Sequence, residues 1–220
     1  MDIIFFIVGT ILGSFFGLII DRLPREESII FGRSHCENCH HPLTWLELFP
    51  IFSQLFYRSR CKYCGSKIPL WYGGLEFLSG LVLLLTWLNI LSFGQACFVL
   101  MSLVLSIFDL KYHEFPFIVW LIFTGIIFVF GKFTLPAIIF LSLLFLQRFI
   151  NLRIGSGDIL WLLTASFILS PSQVLVLIEI ASLTGISQII YQKRRGEIAF
   201  IPHLSLGYLV LLAVPQILIQ

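Results

Sequence analysis

The sequence predicts an all-α polytopic membrane protein. Of its 220 residues, 58% are hydrophobic and 12% are charged, and the mean hydropathy is +0.98. Soluble domains carry about 25% charged residues, so a chain with half that share is predicted to lie in lipid. The net charge is only +2, which gives no reason to expect a direct nucleic-acid partner.

Eight apolar segments come close to the length of a membrane crossing, which takes about 20 residues in a range of about 17–25. They lie at 3–20, 74–91, 93–109, 116–131, 134–150, 155–170, 172–190 and 203–219. We therefore predict about eight transmembrane helices, or seven if 134–150 and a neighbour are misdivided. The chain then divides into a first transmembrane helix at 1–20, a polar loop at 21–73 and a helical membrane core at 74–220.

The lysines and arginines between these segments predict the orientation. All but Lys132 of the 14 fall on alternate segments, among them Arg153 and the 193–195 run of Lys-Arg-Arg. Because cytoplasmic loops carry the excess of positive charge, the pattern places the 21–73 loop in the cytosol and both chain termini outside. We expect a multi-pass protein of the cell membrane. A secretory signal peptide is not predicted, since the first positive charges follow the apolar stretch.

Two aspartates stand at the ends of apolar segments. Asp109 closes the run LVLSIFD, and Asp158 closes the sequence Gly-Ser-Gly-Asp that opens the sixth span. In the predicted topology both lie at the cytosolic face and at similar depth. The paired glycines permit either a departure from helical geometry or a close approach of a partner.

A carboxyl group at membrane depth is a functional-site hypothesis by default. Two carboxyl groups close together share a proton, so that one acts as general base on water and the other as general acid. Asp109 and Asp158 are therefore candidates for the catalytic pair of an aspartic peptidase. Two alternatives stay open: solvated acids at helix ends, and a proton or cation relay.

Four of the five cysteines form two CxxC pairs in the polar loop. The spacer between the pairs has about the length found in two-knuckle zinc sites. The four thiols belong to Cys36, Cys39, Cys61 and Cys64. Four thiolates close a tetrahedral shell, which is typical of structural Zn²⁺. A cytosolic loop lies in a reducing compartment, which argues against disulfides. Cys97 lies in an apolar run and is expected to be a small buried hydrophobe.

Two further patterns concern packing. The stretch LTWLELFPIFSQLFY between the CxxC pairs is apolar for a loop, which is typical of a segment lying on the membrane surface. Gly9, Gly13 and Gly17 recur every four residues in the first span. Such spacing of small residues permits close packing of two helices in a membrane.

Several motifs follow one another in a fixed order along nearly the whole chain. They are Gly9-x-x-x-Gly13-Ser14-Phe15 with Arg22-x-Pro24 after it, both CxxC pairs with Trp45, Pro50 and Ser53 between them, Tyr72-x-x-x-Glu76, Asp109 seven residues before Pro116, the Gly-x-Gly-Asp ending at Asp158, and Ile201-Pro202. In this order and spacing the chain resembles the type IV prepilin leader peptidases, including the short Gram-positive members that serve competence pseudopili.

The resemblance implies a bifunctional membrane enzyme. Such enzymes cut the short basic leader from prepilins after a glycine, on the cytosolic side, and then N-methylate the new N-terminus with S-adenosylmethionine. It implies that Asp109 and Asp158 are the catalytic acids and that the four cysteines form the zinc-binding loop. The expected partners are pilin-like precursor proteins, membrane lipid and a pilus or pseudopilus assembly machinery.

Two function classes compete with the peptidase. One is a non-enzymatic membrane scaffold whose zinc module docks a partner in a pilus, secretion or DNA-uptake machine. The other is a proton-coupled transporter, although the only interrupted helix that the sequence suggests is at 155–158, without a matching inverted half.

Overall fold

The computed structural model describes residues 1–150, 154–192 and 198–213. Within these residues the secondary structure is helical, with no strand and two isolated β-bridges, which confirms the predicted all-α class. The chain divides into two compact units, Met1–Ser92 and Phe93–Gln220, which we call unit 1 and unit 2. Each is described by itself.

Unit 1 is built on two long helices, α1 (Asp2–Arg22) and α3 (Trp71–Trp87), with a single-turn 3-10 helix at Leu23–Arg25 and the short α2 (Phe52–Phe56) between them. The glycine repeat of α1 explains how the long helices pack. A Cβ on Gly9 would lie 2.5 Å from the carbonyl oxygen of Ser79. The two backbones are therefore in direct contact, as the spacing of small residues predicts.

The loop that leaves α1 is organised by Arg22, whose side chain is 8% exposed. Its guanidinium donates to four backbone carbonyls, those of Ser28, Phe31, Gly32 and Arg33, over 2.8–3.4 Å. A guanidinium has five N–H donors in a fixed fork, so one side chain satisfies a whole turn of loop carbonyls.

Unit 2 contains six described helices. They are α4 (Phe93–Tyr112), α5 (Phe117–Phe130), α6 (Leu135–Gln147), α7 (Ser156–Ala165), α8 (Pro171–Gln192) and α9 (Ile201–Ala213). Ten residues of α4 are buried, which makes it the central helix of the unit. Cys97 is among them, as predicted from its apolar surroundings.

Polar side chains join the helices of unit 2. The indole N–H of Trp161 on α7 donates to the Ser102 hydroxyl on α4 over 3.1 Å. The indole N–H of Trp120 on α5 donates to the Thr164 hydroxyl on α7 over 2.9 Å. Buried polar groups need such partners, and in a membrane protein they also fix which helix faces meet.

Three helical stretches among the described residues are long and apolar enough to cross a membrane: Asp2–Arg25, Phe93–Tyr112 and Pro171–Tyr191. Their length and composition support the prediction of a membrane protein. The helices at the other five predicted spans have 10–17 residues, so eight crossings are not confirmed. Residues 214–219 of the last predicted span, Arg153 and the 193–195 basic run lie outside the described residues.

The predicted span at 155–170 is shorter in the structure because a neighbouring loop ends α7. The hydroxyl of Thr134 donates to the carbonyl of Ser166 over 2.7 Å, and the backbone N–H of Lys132 donates to the carbonyl of Phe167 over 2.9 Å. These two carbonyls accept from the loop between α5 and α6. The helix therefore ends at Ala165 although the sequence stays apolar.

Candidate active site and metal centre

Asp109 lies in the last turn of α4 and is half-buried. Its Oδ2 accepts a hydrogen bond of 3.0 Å from the backbone N–H of Ile201, the first residue of α9. The first N–H groups of a helix have no partner within the helix, and a carboxylate is favoured at that end. Asp109 therefore caps α9 from the end of α4, which fixes the position of its side chain.

Asp158 is the third residue of α7 and is also half-buried. Its side chain turns back towards Gly155, where a Cβ would stand 2.7 Å from Asp158 Oδ2. Glycine at position 155 therefore leaves the room that this carboxylate occupies. A larger residue there would have to displace the acid or the helix start.

The second glycine of this motif joins the segments that carry the two acids. Gly157 packs on the ring of Phe115, which lies in the link between α4 and α5; a Cβ on Gly157 would stand 2.6 Å from Phe115 Cδ2. The link that follows Asp109 is therefore held against the helix start that carries Asp158. Asp158 lies within electrostatic range of Asp109.

Of the two roles that the sequence allowed for the paired glycines, the structure favours close approach. Neither Gly155 nor Gly157 has a positive φ, and both have a neighbour within 3 Å of a built Cβ. Positions 155 and 157 therefore favour glycine because a side chain at either one would collide with a neighbouring group.

Two histidines lie within electrostatic range of Asp109. His113 is exposed in the link after α4, and His203 is on the first turn of α9. The His203 ring nitrogens are bonded to Thr184 and Gln188 on α8, which fixes the ring. Sequence reasoning did not select His203; its position directly after Ile201-Pro202 was the signal.

This arrangement has a definite chemical capability. Two half-buried carboxyl groups within electrostatic range of each other can differ in protonation, which is what an acid–base pair requires. Such a pair has a base to take a proton from water and an acid to give one to a leaving group.

The four predicted zinc ligands come together in unit 1. The Sγ atoms of Cys36, Cys39, Cys61 and Cys64 all lie within 4.8 Å of one another. Cys36 and Cys64 are 3.8 Å apart, and Cys39 and Cys61 are 3.9 Å apart. Tetrahedral zinc with Zn–S bonds of about 2.3 Å separates its sulfurs by about 3.8 Å. The cluster therefore fits the predicted metal.

Each CxxC pair forms the same knuckle. The backbone N–H of its first cysteine donates to the carbonyl five residues later, over 3.0 Å in the first knuckle and 2.8 Å in the second. The residue four positions after that cysteine has a positive φ, 53° at His40 and 71° at Gly65. The turn geometry thus brings both sulfurs of a pair to one side.

Electrostatics in the cluster also favour a cation. The Ser66 hydroxyl, 3.1 Å from Cys64 Sγ, is the main cause that lowers the pKa of Cys64 to about 6. For Cys39, the backbone N–H of His41 lowers the pKa, but desolvation and the three other sulfurs outweigh it and raise the pKa to about 11. Thiolates packed this closely repel one another, and a bound metal ion relieves that repulsion.

Comparison with known proteins identifies relatives of the chain. Residues 7–90 match the Bacterial Peptidase A24 N-terminal domain. The chain is 42% identical over 77 residues to the prepilin leader peptidase/N-methyltransferase of Myxococcus xanthus (strain DK1622), which covers 35% of this chain and 23% of that protein. It is 45% identical over 76 residues to the protein of the same name from Bacillus subtilis (strain 168), covering 34% and 31%. The chain thus spans less than a third of the length of these two relatives.

A third relative aligns nearly end to end. The type 4 prepilin-like proteins leader peptide-processing enzyme of Escherichia coli O78:H11 (strain H10407 / ETEC) is 26% identical over 246 residues, 94% of this chain and 91% of that protein. No solved structure matches the chain. The resemblance to the type IV prepilin leader peptidases that the motifs predict is confirmed.

Proposed function

We propose that this chain, which is similar to the prepilin leader peptidases, is a membrane aspartic endopeptidase. Its substrate is a type IV prepilin-like precursor, whose leader it removes at the cytosolic membrane face. The observation that carries the proposal is the pair of half-buried carboxyl groups: Asp109 accepts the Ile201 N–H, and Asp158 occupies the space beside Gly155. The names of the relatives, which describe leader peptidases, support it.

The chemistry follows from the shared proton. One carboxylate takes a proton from water, and the water oxygen bonds to the scissile carbonyl carbon. The protonated partner then donates to the amine nitrogen as the C–N bond breaks. The products are a leader with a new carboxyl group and a mature protein with a new amino group. Asp109 and Asp158 act as one unit, since coupled acids titrate as a pair.

Zinc has a structural role in this proposal. Cys36, Cys39, Cys61 and Cys64 would hold it in the 21–73 loop. Four protein thiolates leave no open coordination position for water or substrate, so the metal stabilises the loop and takes no part in hydrolysis.

The relatives' names also include an N-methyltransferase, and on that basis we extend the proposal to a second reaction. The new N-terminus receives a methyl group from S-adenosylmethionine. The protein lies in the cell membrane with about eight spans, with the 21–73 zinc loop in the cytosol, both termini outside and a peptidase core at 74–220. Its other proposed partners are membrane lipid and a pilus or pseudopilus assembly machinery.

The test is the intact mass of a pilin-like precursor co-expressed with the full chain. We expect loss of the leader with the unaltered protein and no cleavage with Asp109→Asn or Asp158→Asn. Glu114→Gln is the matched control, since Glu114 is an exposed acid in the link after α4. An added methyl mass on the mature product supports the second reaction. Cleavage by both asparagine variants contradicts the peptidase.

A second candidate function is supported by the well-formed cysteine cluster alone. A non-enzymatic scaffold that docks an assembly partner through its zinc module would need the four cysteines and neither aspartate. Substitution of Cys61 by serine would then abolish assembly of the pilus or uptake machine, whereas Asp158→Asn would leave it intact.

A further inference from the structure

The two candidate acids have unequal surroundings. The carboxylate of Asp109 accepts the backbone N–H of Ile201 over 3.0 Å, and the backbone N–H of Phe200 is a second donor. Asp158 also lies in the first turn of a helix, but among the described residues no N–H or O–H group donates to its side chain. Hydrogen bonds to a carboxylate favour its ionised form. Of the two acids, Asp109 is therefore the one that its neighbours stabilise as an anion.

A histidine completes the surroundings of Asp109. His203 is on the first turn of α9, is half-buried and lies within electrostatic range of Asp109. Its ring is held from α8: Nε2 contacts the Oε1 of Gln188, and Nδ1 lies 3.2 Å from the Oγ1 of Thr184. Both ring nitrogens have a partner, so the protonation of the ring follows from what these two partners can accept.

Both partners accept from the ring. An amide oxygen has lone pairs and no proton, so Nε2 donates to Gln188. The hydroxyl of Thr184 has one proton, and its oxygen lies 2.9 Å from the carbonyl oxygen of Ile180 and 3.0 Å from that of Ala181. Because carbonyls only accept, the hydroxyl donates to one of them and receives a hydrogen bond from Nδ1. A histidine that donates from both ring nitrogens is an imidazolium cation.

The charged groups around this ring are few. Thr184 and Gln188 on α8 are neutral, and among the described residues the charged group that acts on His203 is Asp109 on α4. Partial burial opposes a charge on the ring, whereas the two acceptors and the carboxylate favour it. The other histidine near Asp109 is His113, which is exposed in the link after α4, where water and salt screen its charge. His203 is therefore the fixed cation beside this acid.

We infer, resting on the proposed peptidase function, that His203 is a positioning residue that keeps Asp109 ionised, and that Asp109 is the general base and Asp158 the general acid. Asp109 takes a proton from water, and the water oxygen bonds to the scissile carbonyl carbon. Asp158 gives its proton to the amine nitrogen as the C–N bond breaks. The proton on Asp109 then passes to Asp158, which restores both acids for the next turnover. The imidazolium acts through Asp109 alone.

The test is the pH dependence of kcat/KM for leader cleavage by the full chain in lipid nanodiscs. The acidic limb of this profile follows protonation of the base, and the alkaline limb follows deprotonation of the acid. His203→Gln keeps an N–H donor and removes the charge. An anion that loses a nearby cation takes up a proton at higher pH, so the midpoint of the acidic limb should rise by about one pH unit. The alkaline limb should stay in place.

Three further measurements isolate the charge on the ring. His203→Lys retains a positive charge and should return the acidic midpoint towards that of the unaltered chain. Gln188→Leu leaves the histidine in place, removes an acceptor of the cation and should move the midpoint in the same direction as His203→Gln. His113→Gln removes the exposed histidine and should move it less. In ¹⁵N NMR of the histidine-labelled chain at neutral pH, both ring nitrogens of His203 should be protonated, with His203→Gln giving the assignment.

Four outcomes would overturn the inference. They are an acidic limb that does not move in His203→Gln, an alkaline limb that moves in its place, a larger shift in His113→Gln, and a His203 ring with a single proton at neutral pH. Movement of the alkaline limb would make Asp109 the general acid. Cleavage by the unaltered chain separates the two proposals: where it cleaves, these outcomes overturn the role of His203 alone, whereas an inactive unaltered chain contradicts the proposed function and the inference with it.

Discussion

The carboxylate of Asp109 accepts its hydrogen bond from Ile201, 92 residues further along the chain, so the end of α4 and the start of α9 are fixed to each other by a single acid. Asp109 therefore has a structural role, as the cap of α9, and a proposed catalytic role. Two substitutions of the same residue can separate them.

Asp109→Asn keeps an oxygen that can accept the Ile201 N–H but removes the ionisable proton. We expect leader cleavage to fall by about 10²–10⁴-fold, the usual contribution of a general acid or base. The unfolding temperature should change little. Asp109→Ala removes the cap as well and should lower the free energy of unfolding by about 1 kcal/mol further. Thermal unfolding measured beside cleavage checks both; an active asparagine variant would disprove the assigned role.

Gly157→Ala places a methyl group 2.6 Å from the Phe115 ring, so the segment bearing Asp158 has to move away from the link that follows Asp109. A shift of about 1 Å between catalytic groups costs about a hundredfold in rate, and we expect a loss of that size in cleavage. Gly125→Ala is the matched control, because a Cβ at Gly125 has no neighbour within 4 Å. Equal activity of the two variants would mean that the Gly157 contact does not set the geometry of the acids.

The cysteine cluster predicts about one Zn²⁺ per chain, since four thiolates complete one tetrahedral shell. Elemental analysis of the purified protein measures this directly. Cys61→Ser should abolish the bound metal, because Cys61 is the buried ligand of the four. Cys97→Ser, at the buried cysteine outside the cluster, should keep it. A zinc-free protein with full thermal stability would contradict a structural metal.

The apolar stretch between the knuckles is exposed in unit 1: Trp45 is 74% exposed and Phe56 is 86% exposed. We predict that it lies in the membrane surface. Brominated lipids in nanodiscs should then quench Trp45, which appears as a smaller quenched fraction in Trp45→Phe than in the unaltered chain. The same substitution at Trp161, which is fully buried, serves as the comparison. Quenching that does not depend on Trp45 would place the segment in water.

The sequence predicts the parts of this structure that depend on local pattern. CxxC spacing fixed the four sulfurs of the cluster, because each knuckle is a turn of a few residues. Hydrophobic runs located a helix in every predicted span. The ends of the helices were predicted less accurately. Helix α7 ends at Ala165, just before the carbonyls that accept hydrogen bonds from Lys132 and Thr134, and nothing in the sequence near Ala165 indicates this end.

The surroundings of the two aspartates could not be predicted from the sequence. The Gly157–Phe115 contact and the approach of His203 to Asp109 join residues 42 and 94 positions apart, and no local rule indicates them. The sequence pattern did single out the glycine pair, Gly155 and Gly157. The structure explains Gly157, which packs on the ring of Phe115. Glu76, which the sequence offered only as part of the Tyr72-x-x-x-Glu76 motif, is buried in a cavity wall.

The direct backbone contact between α1 and α3 has a consequence for how the protein is made. During translation the glycine face of α1 has no partner until α3 has been synthesised, and the four cysteines lie between the two helices along the chain. A metal ion that closes the loop shortens the tether between the helices, and a shorter tether lowers the entropy lost when they meet. Metal capture before α3 is inserted would therefore speed the pairing, and zinc starvation would leave new chains with α1 unpaired in the bilayer.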